Sequence, residues 1–161
     1  MRVALAATVA LLVASTAAAA LPPTGTLVPG RSLAGVRLGE TQRQVHAALG
    51  SYGVCTACAR PTWYFNLHPF DAHGLAVEFA RGRVSAVYTI MQPAGWLGPH
   101  NLVLGAAQAE VTTAAGPLVV TSCPGYAAWV RNRAGTETIY YLLNDTLWGF
   151  GLMRADADPC R

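Results

Sequence analysis

One short pattern of residues occurs twice in this chain, with the same separation between its two copies. The first copy comprises Leu38-Gly39, Val45 and Gly50, and the second comprises Leu104-Gly105, Val111 and Gly116. Trp63 and Trp129 are separated by the same interval. An internal repeat is typical of structural units that pack on their neighbours, and two copies are too few for a solenoid or a propeller. The sequence therefore predicts two tandem repeats, repeat 1 at residues 21–96 and repeat 2 at residues 97–161.

Residues 1–20 have the composition of a secretory signal peptide. Arg2 precedes a run of alanine, valine and leucine, and this run ends in the small residues Ala18-Ala19-Ala20. A single basic residue, an apolar stretch and small residues at the cleavage point are typical of such a leader. An uncleaved membrane anchor is the alternative, because the run is nearly long enough to span a bilayer. We expect cleavage, and thus a secreted or extracytoplasmic protein with no stable membrane anchor afterwards.

The charged residues are few, and all the basic ones are arginine. The formal net charge is +3 at pH 7. Nucleic-acid-binding proteins depend on many contacts between basic side chains and phosphates, and such contacts require a far larger positive charge. We therefore expect no nucleic-acid partner.

Four cysteines in an exported chain predict two disulfides. Three pairings are possible. If each repeat folds as its own unit, the pairs are Cys55–Cys58 and Cys123–Cys160. A redox-active Cys55-x-x-Cys58 is the alternative for the first pair, but the sequence around it lacks the βαβ pattern of thioredoxin-like proteins.

Each copy of the repeated pattern predicts a short helix. Thr41 is followed three positions later by Gln44, as in a capping box, and Gly50 is suited to the end of the helix. The apolar residues of this helix, at positions 45, 48 and 49, form one stripe. The second copy keeps the stripe, but Ala107 stands at its capping position, so its first turn should be less stable by roughly 1 kcal/mol.

After each helix the sequence predicts strands, in short runs rich in β-branched and aromatic residues. Arg81-Gly82 and Asn144-Asp145 are suited to two-residue hairpin turns. We therefore expect an α+β fold of two tandem repeats, each with one or two short helices packed on an antiparallel sheet of about three or four strands. The expected strands are 62–67, 74–80 and 83–90 in repeat 1, and 118–122, 126–132, 136–143 and 146–153 in repeat 2.

The repeated motif is similar to that of a known family. Leu38-Gly39-x-Thr41-x-x-x-Val45-x-x-x-Leu49-Gly50 resembles the signature of the small bacterial beta-barrel-assembly lipoproteins (the BamE or SmpA/OmlA-like domain). The duplicated, exported and disulfide-bearing arrangement resembles the beta-lactamase inhibitory proteins, which are tandem copies of a helix-plus-sheet unit. The resemblance implies a partner-binding sheet surface. The lipoproteins carry a lipidated cysteine at the cleavage point, whereas the first cysteine here is Cys55.

The hairpin around Asn144-Asp145 places several aromatic residues together. With a two-residue turn, Tyr141 is expected opposite Trp148, and Ile139 opposite Phe150. Side chains alternate between the two faces of a strand, so these four residues should share one face. The same construction around Arg81-Gly82 aligns Tyr141 with Glu78 and Trp148 with Ser85, so the equivalent face in repeat 1 is polar.

This aromatic face is either the seam between the repeats or a surface that binds a partner. Tyrosine and tryptophan are frequent anchors of binding surfaces. On the second hypothesis the chain is an exported, non-catalytic binding protein that engages another exported or envelope protein through open sheet faces. A cell-envelope structural component without a specific ligand is an alternative. The candidate partner-binding residues are Ile139, Tyr141, Trp148, Phe150, Trp129 and Trp63.

A competing hypothesis is a metal-dependent hydrolase that uses the segment between the first two strands of repeat 1. His68, Asp71 and His73 place two imidazoles and a carboxylate close together, and these groups can ligate zinc. A polar connection between strands is the other interpretation, and no fourth ligand is evident. The sequence contains no nucleophile-elbow motif and no phosphate-binding glycine loop. We expect no catalytic residue, no cofactor and no metal.

Overall fold

The computed structural model describes residues 25–66 and 73–161. The expected signal peptide, residues 1–20, lies outside these ranges. The elements in chain order are β1 (Leu27–Val28), β2 (Ser32–Leu33), α1 (Gln42–Leu49), β3 (Gly53–Cys55), β4 (Thr62–Asn66), β5 (Gly74–Ala80), β6 (Arg83–Ile90), a short 3-10 helix (Pro99–Asn101), α2 (Gln108–Ala115), β7 (Val119–Cys123), β8 (Tyr126–Arg133), β9 (Thr136–Leu143) and β10 (Thr146–Arg154).

The strands β3 to β10 form one eight-stranded antiparallel sheet in the order β3-β4-β5-β6-β10-β9-β8-β7. The prediction of an α+β fold of two tandem repeats, each with its own sheet, is therefore wrong, because the described residues are mostly β-strand, with two short α-helices on one large sheet. β6 pairs directly with β10, for example Val87 with Leu152. In two separate sheets both strands would be edges with unpaired backbone groups, and this pairing satisfies those groups. The expected boundary between residues 96 and 97 remains a prediction.

The chain enters the two helices in the same way although the sheet is shared. The Gly39 N–H donates to the Val84 carbonyl at 2.9 Å, and the Gly105 N–H donates to the Leu147 carbonyl at 2.6 Å. Both glycines have positive φ angles, 84° and 95°, which favour glycine over other residues. The repeated Leu-Gly pair thus positions each helix against a hairpin of the common sheet.

Both helices form where the sequence predicts them. The Thr41 hydroxyl accepts from the Gln44 N–H at 3.3 Å, and Gln44 Oε1 accepts from the Thr41 N–H at 2.9 Å. In α2 only the second of these bonds has a counterpart, from the Ala107 N–H to Glu110 Oε2 at 2.8 Å. Ala48 is exposed, although it was expected in the apolar stripe. The helices bury Val45, Leu49, Val111 and Ala115 against the sheet.

Both predicted hairpin turns are present. Arg81 and Gly82 have φ angles of 52° and 73°, and Asn144 and Asp145 have φ angles of 50° and 59°. Two central residues with positive φ define the type I′ turn, whose twist matches that of the flanking strands. The predicted strands are confirmed to within a few residues, while β1, β2 and β3 were not predicted.

The sheet has two unequal faces. The helix-covered face packs against α1, α2, β1, β2 and the buried Trp96, and it contains most of the core. The opposite face, which we call the open face, carries a smaller buried cluster. The fully buried members of that cluster are Ala86, Ala128, Val130, Ile139, Tyr141 and Met153, and Tyr88, Tyr126, Trp148 and Ala157 pack against them.

Candidate functional site

The segment that follows β10 lies on the open face. Ala157 packs against the buried cluster of that face. Cys160 forms a disulfide with Cys123 at the end of β7, as expected, and Cys55 pairs with Cys58. The Tyr126 hydroxyl donates to the Arg161 carbonyl at 2.6 Å and also accepts from the Arg161 N–H. Residues 155–161 are thus held against the sheet by one covalent link and by hydrogen bonds.

A β-bulge occurs at the same place in each of the two hairpins. In β5–β6 the register moves from Phe79 opposite Val84 to Glu78 opposite Ala86, which leaves Ser85 as the extra residue. In β9–β10 it moves from Leu142 opposite Leu147 to Tyr141 opposite Gly149, which leaves Trp148 as the extra residue. A bulge redirects a side chain at the cost of one ladder pair. Ser85 and Trp148 therefore correspond, as the sequence alignment of the two turns predicted.

The bulge makes part of the predicted pairing wrong. Tyr141 lies opposite Gly149 rather than Trp148, and Ile139 lies opposite Gly151 rather than Phe150. Because of this shift Phe150 points to the helix-covered face, where its ring centroid is 6.1 Å from that of Tyr140.

The six candidate partner-binding residues therefore do not form one surface. Ile139, Tyr141 and Trp148 lie on the open face, and only Trp148 among them is partly exposed. The other three candidates lie on the helix-covered face: Phe150, Trp63 and Trp129. Trp63 is partly buried there and stacks on Tyr52, with 3.7 Å between ring centroids. The partner-binding role of these residues remains a prediction. Ile139 and Phe150 are completely buried, so their side chains cannot contact a partner in this structure.

A cavity of about 190 Å³ opens on the open face between β6, β8 and β10. We call it the aromatic cavity. Tyr141 is almost completely buried in its wall, while Tyr126 and Trp148 are half-buried, and the three ring centroids lie 5.8–5.9 Å apart. Met91, which is 58% exposed, also lines it. The remaining lining residues are Tyr88, Thr89, Ile90 and Arg161.

The backbone of β10 makes room for the Tyr141 ring. A Cβ atom on Gly151 would lie 2.9 Å from the Tyr141 hydroxyl and 3.2 Å from Cε2, and a Cβ on Gly149 would lie 3.4 Å from Cδ2. A side chain at position 151 would therefore displace the Tyr141 ring, whereas one at position 149 would meet Thr89 Oγ1 at 2.6 Å and only touch the ring. The shape of the cavity thus depends on residues that do not line it.

Two uncharged polar atoms beside the cavity are buried without a hydrogen-bond partner among the described residues: the Tyr141 hydroxyl and Trp148 Nε1. Burial raises the pKa of Tyr141 far above its usual range, so the hydroxyl stays protonated. Trp148 Nε1 can only donate. Unpaired buried polar groups cost free energy in the absence of a partner. Both atoms have almost no exposed surface, so a ligand in the cavity meets the rings of Tyr141 and Trp148 rather than these polar atoms.

An ion-pair chain crosses the centre of the open face. Glu78 is only 6% exposed; its Oε1 lies 3.1 Å from Arg161 Nε and its Oε2 lies 3.5 Å from Arg60 Nη1. The Arg161 guanidinium carbon lies 5.8 Å from the centroid of the Tyr88 ring. Burial and the charge of Glu78 raise the pKa of Tyr88 well above its usual range. Arg161 thus neutralises a carboxylate that would be costly to bury alone.

A larger cavity, of about 700 Å³, is a groove between the 3-10 helix and α2. Its carboxylate, Glu110, already accepts from the Ala107 N–H. Its other lining residues include Val103, Ala109 and Thr113, and the hydroxyl of Thr113 donates to the Ala109 carbonyl at 2.9 Å. We therefore regard the aromatic cavity as the better candidate site, despite its smaller volume.

The metal-site hypothesis falls partly outside the structure. His68 and Asp71 lie outside the described residues, so the hydrolase alternative remains a prediction. Within residues 25–66 and 73–161, no three histidine, cysteine, aspartate or glutamate side chains are grouped as metal ligands. None of the helices in these two ranges combines the length and apolar character needed to cross a bilayer.

Comparison with known proteins gives information on the fold only. The chain matches no protein-family model and no curated protein in sequence. It is similar in structure to a DUF4309 family protein (YjgB) from Bacillus subtilis, with 18% identity and a TM-score of 0.53 over 71% of this chain and 78% of that one. A second neighbour is an extracellular protein containing a SCP domain from Bacillus anthracis, with 12% identity and a TM-score of 0.47 over 73% of this chain and 44% of that one.

The first neighbour shows that this fold occurs in another protein, and the second likeness is too weak to carry an argument. Neither neighbour is described as a beta-barrel-assembly lipoprotein or a beta-lactamase inhibitory protein. The resemblance to those families remains a prediction.

Proposed function

We propose that this chain is an exported, non-catalytic binding protein that receives an apolar side chain of a protein partner in the aromatic cavity. The observation that carries the proposal is the cavity itself, which is lined by Tyr126, Tyr141 and Trp148 on the face that the helices leave uncovered. Half-buried tyrosine and tryptophan around a pocket are typical of the energetically dominant part of protein interfaces.

The size of the cavity favours a side chain over a free small molecule. Sites for small ligands usually enclose roughly 300–1,000 Å³, whereas this one holds about 190 Å³. A single aromatic or branched aliphatic side chain is the occupant that suits such a volume.

The charges near the cavity support binding rather than catalysis. Glu78 is the buried carboxylate of this region, and Arg161 and Arg60 both neutralise it. A general base needs a carboxylate or imidazole within reach of the reacting group, with a pKa matched to its task. A carboxylate held between two guanidinium groups is instead suited to fixing the position of Arg161.

Two disulfides support an extracytoplasmic location. Disulfides persist in oxidising compartments and are rare in the cytosol. Together with the leader predicted at residues 1–20, they favour export of the chain to the compartment where its partner would be found.

Selection of peptides from a random phage-displayed library, with the folded protein as bait, tests the proposal. Enriched peptides should share one aromatic or aliphatic residue. The affinity of such a peptide, measured by isothermal titration calorimetry, should fall by about tenfold or more in Trp148→Ala, because this change removes one wall of the cavity. Met91→Glu places a charge among the lining residues at an exposed position, so it should weaken binding without affecting the fold.

Val54→Ala is the matched control, because Val54 is 60% exposed on the edge strand β3, away from the cavity. It should bind the peptides like the wild-type protein. The proposal is wrong if no peptide is enriched, or if the enriched peptides bind Trp148→Ala and Met91→Glu as tightly as the wild type.

A further inference from the structure

A second cavity lies on the open face beside the Arg81-Gly82 turn. Its volume is about 260 Å³, and we call it the arginine cavity. The side chains of Arg60, Arg81 and Arg154 line it together with one carboxylate, that of Asp156. Three positive charges thus surround this cavity against one negative charge, in a chain whose formal net charge is only +3.

Two of these arginines already have a carboxylate neighbour. Arg154 donates from Nε and Nη2 to the two carboxylate oxygens of Asp156 at 3.0 and 2.8 Å, which leaves its Nη1 available. Arg60 Nη1 lies 3.5 Å from Glu78 Oε2. Carboxylates that hold one edge of a guanidinium group leave its other N–H groups directed elsewhere. Arg154 is therefore oriented before any ligand arrives, while Arg60 has only the longer ion-pair contact with Glu78.

The third arginine supplies the unbalanced charge. Arg81 is paired with no carboxylate of the described residues. It is the first central residue of a type I′ turn with a φ of 52°, a position where asparagine, aspartate or glycine is preferred. The turn itself therefore gives no reason for arginine here.

The bulge of the β5–β6 hairpin forms the inner wall of the cavity. The extra residue Ser85 is 5% exposed, lines the cavity, and donates its hydroxyl to the Glu78 carbonyl at 3.3 Å. In the other hairpin the corresponding residue, Trp148, lines the aromatic cavity. Each bulge thus lines one of these two cavities, and the chain Arg60–Glu78–Arg161 connects them.

We propose that the arginine cavity binds a multivalent oxyanion, such as a phosphate group or a small di- or tricarboxylate. The fork of N–H groups on arginine matches the oxygens of carboxylate and phosphate. A ligand with several negative oxygens can contact the guanidinium groups of Arg60, Arg81 and Arg154 at once, which favours it over a monovalent anion. This proposal does not depend on the protein partner of the aromatic cavity.

Isothermal titration calorimetry with citrate and with inorganic phosphate, at constant ionic strength set by sodium chloride, tests this site on the intact protein. Both anions should bind, and acetate should bind more weakly. In Arg81→Gln the affinity for citrate should fall by about five- to tenfold, as expected for the loss of one charged hydrogen-bonding partner that is partly exposed. Arg60→Gln and Arg154→Gln should have effects in the same direction.

Arg43→Gln is the matched control, because it removes the same charge from the exposed surface of α1 on the other side of the sheet. It should leave the affinity unchanged. Equal losses in Arg43→Gln and Arg81→Gln would show non-specific charge attraction and would overturn the proposal. The absence of binding by both citrate and phosphate would also overturn it.

Vesicles distinguish a free anion from a lipid headgroup, which carries the same phosphate chemistry. Phosphatidylglycerol vesicles should not sediment the protein more than phosphatidylcholine vesicles do. Sedimentation that depends on Arg81, without binding of free phosphate or citrate, would overturn the assignment to a soluble ligand. Failure of the peptide selection described above would leave the result with citrate unchanged, so the two proposals can fail separately.

Discussion

The ring of Tyr141 lies against the backbone of β10, where two nearby residues, Gly149 and Gly151, have no side chain. Gly149 faces Tyr141 directly, and Gly151 faces Ile139. Glycine in a strand usually weakens the strand, and it is retained where another group approaches closely. The two glycines are visible in the sequence. That they make room for the Tyr141 ring is visible only from the register of β9 and β10, which the bulge at Trp148 alters.

Gly151→Ala tests this close approach. A Cβ at position 151 would lie 2.9 Å from the Tyr141 hydroxyl, so the ring must move and the surrounding core must adjust. We expect the free energy of unfolding to fall by about 1–3 kcal/mol, measured by urea denaturation. Gly53→Ala is the control, because a Cβ there meets no atom within 4 Å; it should change stability by less than about 0.5 kcal/mol. Similar losses in both variants would contradict this interpretation.

Tyr140 gives a prediction about alkaline pH. Burial raises its pKa from 10.0 to about 12, and the charge of Arg131 opposes this shift. Between pH 10 and 12 the unfolded chain therefore binds fewer protons than the folded one, so the stabilisation that is complete below pH 10 is lost as the pH rises through this window.

Tyr140→Phe should remove this contribution. The Tyr140 hydroxyl is buried without a hydrogen-bond partner among the described residues, so phenylalanine should be tolerated near neutral pH. Between pH 10 and 12 the stability of the variant, from urea denaturation at each pH, should fall less steeply than that of the wild type. Burial also raises the pKa values of Tyr88 and Tyr141, so some dependence on pH should remain. Identical slopes in the two proteins would contradict the assignment.

The helices and hairpins were predictable because their signals are local. The capping residues of α1 and the two-residue turns lie within a few positions of the elements that they define. The bulges could not be predicted, since Ser85 and Trp148 interrupt runs that read as regular alternation. One extra residue reverses the face of every later side chain in the strand. This is why Phe150 was assigned to the face that carries Tyr141.

The N-terminus of α2 offers a test of the helix signals. Ala107 has φ −69° and ψ 156°, the extended conformation of a capping residue, and it is exposed. The Glu110 N–H now donates to the Ala107 carbonyl at 2.9 Å, and a threonine hydroxyl at position 107 can replace or share that acceptor role, as the Thr41 hydroxyl accepts from the Gln44 N–H in α1. Ala107→Thr should therefore raise the free energy of unfolding by about 1 kcal/mol. Thr41→Ala should lower it by a similar amount, and a loss of stability in Ala107→Thr would contradict the equivalence of the two caps.

The eight-stranded sheet depends on contacts between distant parts of the sequence. The pairing of β6 with β10 brings Ala86 next to Met153, and no local pattern indicates which strand is to be an edge. The aromatic cavity has the same origin, because Tyr88 comes from β6, Tyr126 from β8 and Trp148 from β10. Sequence reasoning identified Tyr141 and Trp148, whereas Tyr88, Tyr126, Met91 and Arg161 became candidates only through this arrangement.

The Cys123–Cys160 disulfide is expected to stabilise the whole molecule more than the Cys55–Cys58 disulfide. It closes a loop of 37 residues, whereas the other closes one of 3. In the chain-entropy model the longer loop contributes about 3–4 kcal/mol and the shorter one less than about 2 kcal/mol. The double variant Cys123→Ala/Cys160→Ala should therefore lose more stability in urea denaturation than Cys55→Ala/Cys58→Ala.

The location of the longer disulfide adds a second consequence. The Cys123–Cys160 disulfide attaches the C-terminal segment to β7, next to Arg161. Loss of this disulfide should therefore weaken the ion pair between Arg161 and Glu78 at the centre of the open face. Arg161→Met removes that charge while the disulfide remains. If the disulfide acts partly through Arg161, the stability losses of Arg161→Met and Cys123→Ala/Cys160→Ala should be less than additive when the changes are combined. Full additivity would show that the disulfide restrains the unfolded chain alone.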